Sequence, residues 1–330
     1  MNPEPNPEPL LDIGRARHVR GRNFEIRISP AERLRSARRV PQAVVKVTSY
    51  ATGKARVIRH LRYISRNGKL TLETDTGQEL TTEEDQRMLV EDWGSDFDTR
   101  PRSRDAVAIV FSLPPGSKVE ALRVSVRTTL ARSFPNNEWV FGIHEDRNHP
   151  HAHALVKMRG RESSKKLRIN KPELYRLRDT FAKAAREQGI RLAASSRASR
   201  GVGPKGERQA VYHLRRKGVV IKADHEVTRE AVADKPGMKP WEKAMAARNQ
   251  LEKEAYLLCA RQFRTTASEK SGAEREKLLQ AAGDLERYSR NLAKPRSRRQ
   301  ELLEQAKETM PHQGGSAEKN RGQDGLEMDR

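Results

Sequence analysis

Histidines crowded into one short segment are the residues of this chain best suited to chemistry. Four of the nine histidines of the 330-residue chain fall within ten positions, as His144, His149, His151 and His153. Because alternate residues of a strand point to the same face, His151 and His153 can present two imidazoles side by side. A turn through residues 148–150 would return His144 to the same point. Three neutral nitrogen donors predict a divalent metal site with open coordination positions, where a phosphate oxygen could be polarised.

Two less reactive interpretations of this segment are a histidine-rich surface turn and a structural zinc site that does no chemistry. The number and spacing of the histidines favour a functional metal site instead, with Mg²⁺ or Mn²⁺ as the expected ion. Asp146 lies within the turn, where its carboxylate could orient a ligand histidine through the second ring nitrogen.

A metal beside a phosphodiester still requires a nucleophile, and a tyrosine earlier in the chain is the candidate. Tyr63 lies between Arg62 and Arg66, whose charges can hold a DNA strand and favour the phenolate. Asp146 could help to take the proton from this tyrosine. An amphipathic tyrosine packed beneath a basic helix is the alternative interpretation, and Tyr50, close to the end of the first predicted strand, is the competing nucleophile.

The charge of the chain indicates the partner that such a site would meet. The formal net charge is +22 and the pI is near 10.4, while 35% of the residues are hydrophobic and 33% are charged. Lys and Arg contacts to phosphates release condensed counterions, so a nucleic acid is the expected partner. Lys165, Lys166 and Arg168, which follow the histidines, are expected to form a basic edge that grips phosphates.

The sequence also predicts a cytoplasmic protein without a membrane span. No segment approaches the roughly 20 consecutive apolar residues that a span needs, and the Pro- and Glu-rich start contains no apolar signal segment. The single cysteine, Cys259, excludes an intrachain disulfide framework.

Hydrophobic periodicity predicts the elements that must position the histidines and the tyrosine. The order strand, helix, strand, strand, helix predicts an α+β fold, with a central antiparallel sheet of about five strands and helices on one face. A charged helical extension follows it. The predicted strands cover residues 43–49, 106–111, 139–143 and 151–156, and the predicted helices cover 54–66, 83–93, 118–132 and 172–188.

Three segments resemble the motifs of the HUH-type relaxases, the plasmid mobilisation nucleases that begin conjugative DNA transfer. The block 144–153 is similar to the third motif of that family, in which the His-x-His pair and the upstream histidine bind metal. The segment 110–116 is similar to the second motif, whose serine, here Ser112, contacts DNA near the cut. The segment 60–68 is similar to the first motif, whose tyrosine, here Tyr63, is the nucleophile.

The resemblance spans roughly residues 43–200 and is closest to the branch that contains the nuclease cutting Ti-plasmid borders. It implies a metal-dependent, site- and strand-specific single-stranded DNA endonuclease that stays on the 5′ end through its tyrosine. Arg62, Arg66 and His149 are then expected to contact DNA. The implied partners are single-stranded and supercoiled plasmid DNA at a transfer origin, an accessory DNA-binding protein and a type IV secretion coupling protein. Passage to the recipient cell with the DNA is also implied.

Composition and resemblance together predict five regions along the chain. They are a basic, mobile arm (1–42), a relaxase domain (43–200), a basic linker or loop (201–238), a charged helical region (239–309) and a disordered tail (310–330).

Alternative functions remain open at the level of sequence. A rolling-circle replication initiator or a single-strand transposase would share the chemistry. A non-catalytic basic DNA-binding module with a structural metal belongs to a different class.

Overall fold

A computed structural model describes residues 28–98, 100, 103–162, 165–203, 209–233 and 237–309. The predicted arm up to residue 27 and the predicted tail from residue 310 lie outside the described residues. The strands are β1 (Val44–Ala51), β2 (Leu72–Thr74), β3 (Glu79–Leu80), β4 (Ala106–Ser112), β5 (Trp139–His144) and β6 (His151–Lys157). The helices are α1 (Pro30–Ala37), α2 (Gly53–Ile64), α3 (Glu83–Gly94), α4 (Val119–Ser133), α5 (Lys171–Glu187), α6 (Gln209–Arg216), α7 (Lys222–Val232), α8 (Pro240–Ser268), α9 (Gly272–Arg290) and α10 (Arg298–Thr309).

The six strands form one antiparallel sheet in the order β1-β4-β6-β5-β2-β3. In the central pair, His144 of β5 lies opposite His151 of β6, and Gly142 lies opposite His153. On the other side of β6, Ser112 of β4 also lies opposite His151. The α+β class and the central antiparallel sheet that carries the histidines are thereby confirmed.

Two details of the fold differ from the prediction. The sheet has six strands where about five were predicted, because β2 and β3 are three and two residues long and too short to show a periodicity. Helices cover both faces of the sheet rather than one: α4 and α5 pack on one face, and α2 and α3 on the other. The reason is that β5 is buried at every position, and a strand that is apolar on both sides needs cover on both faces.

Helix α2, which carries Tyr63, lies on the face of the sheet to which the histidines point, here called the histidine face. At its start, the buried Asp105 carboxylate accepts a hydrogen bond from the Gly53 N–H at 2.8 Å. Burial alone would raise the pKa of Asp105, but the bonds from Gly53 and from Lys166 lower it overall. At its end, Ile64 lies over Gly142, where a Cβ would come within 2.9 Å of Ile64 Cγ2. A glycine at this position lets the last turn of α2 approach the sheet.

We expect Gly142→Ala to displace the end of α2 and to lower the free energy of unfolding by about 1–3 kcal/mol. The added methyl group would lie 2.7 Å from Leu72 Cδ2 and 2.9 Å from Ile64 Cγ2. Urea unfolding measures the loss. Gly283→Ala, within α9, is the matched control because a Cβ there meets nothing within 4 Å. Equal stability of the two variants would contradict the close approach of α2 to the sheet.

The chain divides into two compact units. The first comprises Met1–Arg200 and Glu252–Leu292 and includes the sheet. Besides the two cores of the sheet, it contains a small core in which Tyr256 and Phe263 of α8 and Leu285 of α9 are fully or almost fully buried.

The second unit comprises Gly201–Leu251 and Ala293–Arg330. Within it, the buried Arg299 guanidinium is 3.1 Å from the buried Glu242 and 3.2 Å from the partly exposed Glu230. The domain boundaries predicted at residues 42, 200, 238 and 309 stay predictions. None of the described helices combines the length and the apolar composition that crossing a membrane requires.

Candidate active site

Three histidines meet at one end of the two central strands. Nitrogen atoms of His144, His151 and His153 all lie within 4.8 Å of one another. The ring centroids of His144 and His153 are 4.5 Å apart, and those of His151 are 5.4 Å and 5.3 Å from these two. His144 and His151 are buried, whereas His153 is partly exposed. The structure thus brings the three predicted ligand residues together, and this group is called the histidine cluster.

In two of these rings, hydrogen bonds determine which nitrogen carries the proton and which nitrogen keeps its lone pair. His144 Nε2 lies 2.7 Å from the Ile64 carbonyl oxygen. A carbonyl can only accept, so Nε2 carries the proton and Nδ1 keeps the lone pair. By the same argument, the 3.4 Å contact of His151 Nδ1 with the His149 carbonyl leaves the lone pair on Nε2. Neutral imidazoles with a lone pair each are a donor set that fits a divalent cation.

Burial disfavours the charged form of two of these imidazoles, those of His151 and His153. Desolvation by burial, followed by the charges of His144 and His151, lowers the pKa of His153 to about 4. Burial is also the largest cause of the lowered pKa of His151, although its bond to the His149 carbonyl acts in the opposite direction. Both rings are therefore neutral at pH 7, as metal binding requires.

We expect the stability of the protein in chelator to fall as the pH is lowered from 6.5 towards 4. In this window the unfolded chain binds a proton at His153 that the folded chain does not bind, so lower pH favours unfolding. His153 alone makes the free energy of unfolding change by up to about 1.4 kcal/mol per pH unit. Urea unfolding across the window measures it, and His153→Gln should flatten the dependence. A slope that this substitution leaves unchanged would contradict the lowered pKa.

Tyr63 lies at the histidine cluster, and Tyr50 does not. The Tyr63 ring is 5.3 Å from that of His153 in an edge-on arrangement, and Tyr63 is 60% exposed. Tyr50, on β1, packs against the core on the opposite face of the sheet, with the Arg104 guanidinium 4.3 Å above its ring. Of the two tyrosines left open by the sequence, only Tyr63 shares a face with the cluster.

Arg66 joins the end of α2 to the loop between β5 and β6. Its guanidinium is 2.6 Å from Asp146 Oδ2 and 3.5 Å from His144 Nδ1. The other carboxylate oxygen of Asp146 is 3.8 Å from His151 Nε2. The bond from Arg66 is the largest cause of the lowered pKa of Asp146, so this carboxylate is ionised and a weak proton acceptor. Arg66 has a φ of +54°, which is uncommon for a residue other than glycine.

Three other predicted DNA contacts differ in their distance from the cluster. Ser112 ends β4 opposite His151, and the ring of His149 is 5.8 Å from that of His151. Arg62 is exposed on α2, with its guanidinium 3.2 Å from the Glu83 carboxylate. Ser112 and His149 therefore border the cluster, whereas Arg62 has an acidic partner outside it.

The predicted basic edge lies away from the histidine cluster. Lys166 Nζ is 3.0 Å from Asp105, which precedes β4 at the end opposite Ser112. At about 3.3 Å per residue, the two ends of this strand are about 20 Å apart. Lys165 and Arg168 are exposed residues next to Lys166 in the sequence. The structure does not bring Lys166 to the histidines and gives it a structural partner instead.

Two residues that sequence reasoning missed position the site. Asp105 holds the start of α2, and Gly142 admits its end. The available signals were a charged residue immediately before an apolar strand and a glycine that interrupts the apolar run at 139–143. Neither signal identifies a contact with α2 without the tertiary structure.

Comparisons with known proteins agree with this geometry. Residues 63–190 match the family described as "Relaxase: MobA/VirD2-like, nuclease domain". The T-DNA border endonuclease VirD2 of Rhizobium rhizogenes is 30% identical over 166 residues, covering 44% of this chain and 38% of that protein. The protein of the same name from Rhizobium radiobacter is 30% identical over 176 residues, covering 47% of this chain and 41% of the relative. The protein of the same name from Agrobacterium fabrum is 29% identical over 166 residues, covering 44% of this chain and 37% of that relative.

The aligned region spans less than half of each relative's own length. The family segment nevertheless includes Tyr63, Ser112 and the whole histidine cluster. The resemblance inferred from the three motifs is confirmed: residues 63–190 match the nuclease domain of the MobA/VirD2-like relaxases.

Proposed function

We propose that this chain is a relaxase that nicks one DNA strand at a plasmid transfer origin and stays covalently on the 5′ end through Tyr63. The observation that carries the proposal is an exposed tyrosine beside three metal-ligating side chains, with its ring 5.3 Å from that of His153. An oxygen nucleophile beside a site for a cation is a combination suited to transesterification of a phosphodiester. The match of residues 63–190 to the relaxase nuclease domain supports the same chemistry.

Tyr63 is the proposed nucleophile. Its Oη forms a bond to phosphorus while the bond between phosphorus and the 3′ oxygen breaks, and that electron pair stays on the 3′ oxygen. The phenolic proton passes to water, and the 3′ oxygen takes up a proton to give a free 3′-hydroxyl. A phosphotyrosyl diester replaces the original diester, so attack by a 3′-hydroxyl in the reverse direction reseals the strand without nucleotide hydrolysis.

The histidine cluster would hold the divalent cation, Mn²⁺ or Mg²⁺. Three nitrogen donors favour Mn²⁺ of this pair, because Mg²⁺ prefers oxygen ligands. When bound, the cation supplies Lewis-acid stabilisation of the negative charge on the phosphate. The lowered pKa of Asp146 favours a role in positioning Arg66 over a role as base. Arg66 would bind a phosphate oxygen beside the nick.

We further propose the DNA contacts and partners that this function requires. Ser112 and His149 would contact the strand next to the nick, and Arg62, Lys165 and Arg168 would contact phosphates farther away. The substrate would be single-stranded and supercoiled plasmid DNA at a transfer origin. An accessory DNA-binding protein and a type IV secretion coupling protein are the proposed partners, with a cytoplasmic location and passage to the recipient cell.

Cleavage of single-stranded DNA by the purified protein tests this proposal. Oligonucleotides spanning the transfer origin of its own plasmid are incubated with Mg²⁺, with Mn²⁺ or with chelator, and separated on a denaturing gel. We expect a metal-dependent covalent protein–DNA adduct and a released fragment whose 3′-hydroxyl a polymerase can extend. Tight binding of DNA without cleavage in either metal would overturn the proposal and favour a non-catalytic DNA-binding module.

A further inference from the structure

The pairing register of the sheet places a lysine of β1 in line with the histidine cluster. Lys46 lies opposite Val110 of β4, and Val110 lies opposite His153 of β6. Residues that are directly paired across antiparallel strands point to the same face, so these three side chains share the histidine face. Neighbouring strands are about 4.8 Å apart, which puts the Cα atom of Lys46 about 10 Å from that of His153.

A β-bulge in β1 marks the place where α2 begins to cover this face. The register between β1 and β4 shifts at Thr48, which is an extra residue without a partner in β4 and donates a hydrogen bond from its hydroxyl to the Ala108 carbonyl at 3.3 Å. Because of this extra residue, Ser49 points to the same face as Lys46. There the Ser49 hydroxyl is 3.2 Å from His60 Nε2 of α2. The cover by α2 thus reaches Ser49.

The histidine face is open beyond this point. Val44, two residues before Lys46 and therefore on the same face, is 37% exposed. Lys46 is exposed and Val110 is partly exposed, whereas Ala108, the next residue of β4 on this face, is buried in the core beneath α2. Val44, Lys46 and Val110 are here called the open strip. Since β1 is an edge strand, the open strip extends from His153 to the edge of the sheet.

The charge of Lys46 is not neutralised by the part of the chain that the structure describes, where this residue takes part in no ion pair. Two other lysines at the sheet do have acidic partners. Lys157 Nζ is 2.9 Å from Asp96, and Lys166 Nζ is 3.0 Å from Asp105. The lysine in line with the histidine cluster is therefore available to an anion from outside the chain, whereas the lysines at the other end of the sheet serve the fold.

We propose that the open strip holds the DNA strand beside the nick, with Lys46 bound to a backbone phosphate that flanks the scissile one. The ammonium group of a lysine is a point charge on a flexible four-carbon stem, which suits it to a phosphate lying over the strip. Val44 and Val110 provide an apolar floor for the sugars. Arg66 contacts His144 on the β5 side of the cluster, so Lys46 and Arg66 place cations on both sides of it. The assignment to DNA rests on the proposed function.

A lysine on an edge strand also has a purely structural use, because its charge prevents pairing with the edge of another chain. That use requires no contact with DNA, so it predicts that Lys46 affects DNA affinity no more than any other exposed lysine does. Lys277, an exposed residue of α9 outside the sheet, is the matched control. Comparison of the two lysines separates a phosphate contact from protection of the edge.

The first arm of the test measures binding of the single-stranded transfer-origin oligonucleotide by the full chain in chelator, so that cleavage does not enter. We expect Lys46→Gln to bind about fivefold more weakly than the wild type at about 0.1 M salt, with a slope of log affinity against log salt that is smaller by about 0.7. Lys46→Arg, which keeps the charge, and Lys277→Gln should both keep the wild-type slope. Equal slopes for Lys46→Gln and Lys277→Gln would overturn the proposal.

The second arm locates the phosphate by replacing single phosphates of the oligonucleotide with uncharged methylphosphonates. At the phosphate that Lys46 binds, the replacement should weaken binding by the wild type and leave binding by Lys46→Gln unchanged, because the two changes remove the same interaction. We expect this position to flank the scissile phosphate. Additive effects at every position, or coupling only at a phosphate remote from the nick, would overturn the proposal. Cleavage by the wild type is scored separately, so failure of the nicking proposal leaves the slopes and the coupling interpretable.

Discussion

We expect Tyr63→Phe to lower the rate of DNA cleavage by at least about 10³-fold and to abolish the covalent adduct. The substitution removes only the oxygen that attacks phosphorus and keeps the ring, so the edge-on contact with His153 is retained. Because Tyr63 is 60% exposed, stability should stay within about 0.5 kcal/mol of the wild type. A time course on denaturing gels measures cleavage, and fluorescence anisotropy in chelator measures DNA affinity, which should stay close to the wild-type value.

Tyr50→Phe is the matched control, since it makes the same chemical change on the opposite face of the sheet. It should cleave at the wild-type rate. An adduct that persists in Tyr63→Phe and disappears in Tyr50→Phe would assign the nucleophile to Tyr50 instead.

His153→Ala is expected to weaken Mn²⁺ binding by at least about 100-fold and to abolish metal-dependent cleavage. Even the loss of a residue that only supports a ligand weakens metal binding by roughly 10–100-fold, and His153 supplies one of three donors itself. Its ring centroid lies 4.5 Å from that of His144 and 5.3 Å from that of His151, so truncation to Ala leaves two donors in the cluster. Calorimetric titration with Mn²⁺ gives the affinity directly.

His225→Ala provides the control for this measurement, because it removes an exposed imidazole of α7 outside the cluster. It should bind Mn²⁺ like the wild type. Melting temperatures in chelator establish that His153→Ala is folded. Wild-type Mn²⁺ affinity in a folded His153→Ala would rule out the histidine cluster as the metal site.

The elements near the histidines were predictable because their sequence patterns are local. The predicted strand at 106–111 is observed as β4, and the predicted helix at 118–132 as α4, each within about one residue at its ends. The period of two that places His151 and His153 on one face holds in β6. The need for helices on both faces was also encoded, because residues 139–143 contain no polar side chain, but the prediction of a single helical layer did not use that signal.

Parts of the site depend on tertiary structure and could not be predicted from sequence. Tyr63 and Tyr50 both precede the cluster by many residues, and only the packing of α2 puts one of them on the histidine face. Lys166 is close to His153 in sequence, yet β6 carries the chain to the opposite end of the sheet between them. Proximity along a chain is a poor guide to proximity in space once a strand lies between two residues.

The hydrogen bond from His144 to the Ile64 carbonyl joins a proposed metal ligand to the residue next to the proposed nucleophile. A change in the orientation of this ring must therefore change the free energy of the last turn of α2, and the reverse also holds. On the proposed function, cation binding at the cluster and DNA binding at Tyr63 would therefore be thermodynamically linked, and linkage is reciprocal. Whatever factor the cation adds to the affinity for DNA, DNA adds to the affinity for the cation, so each ligand recruits the other before any bond is broken.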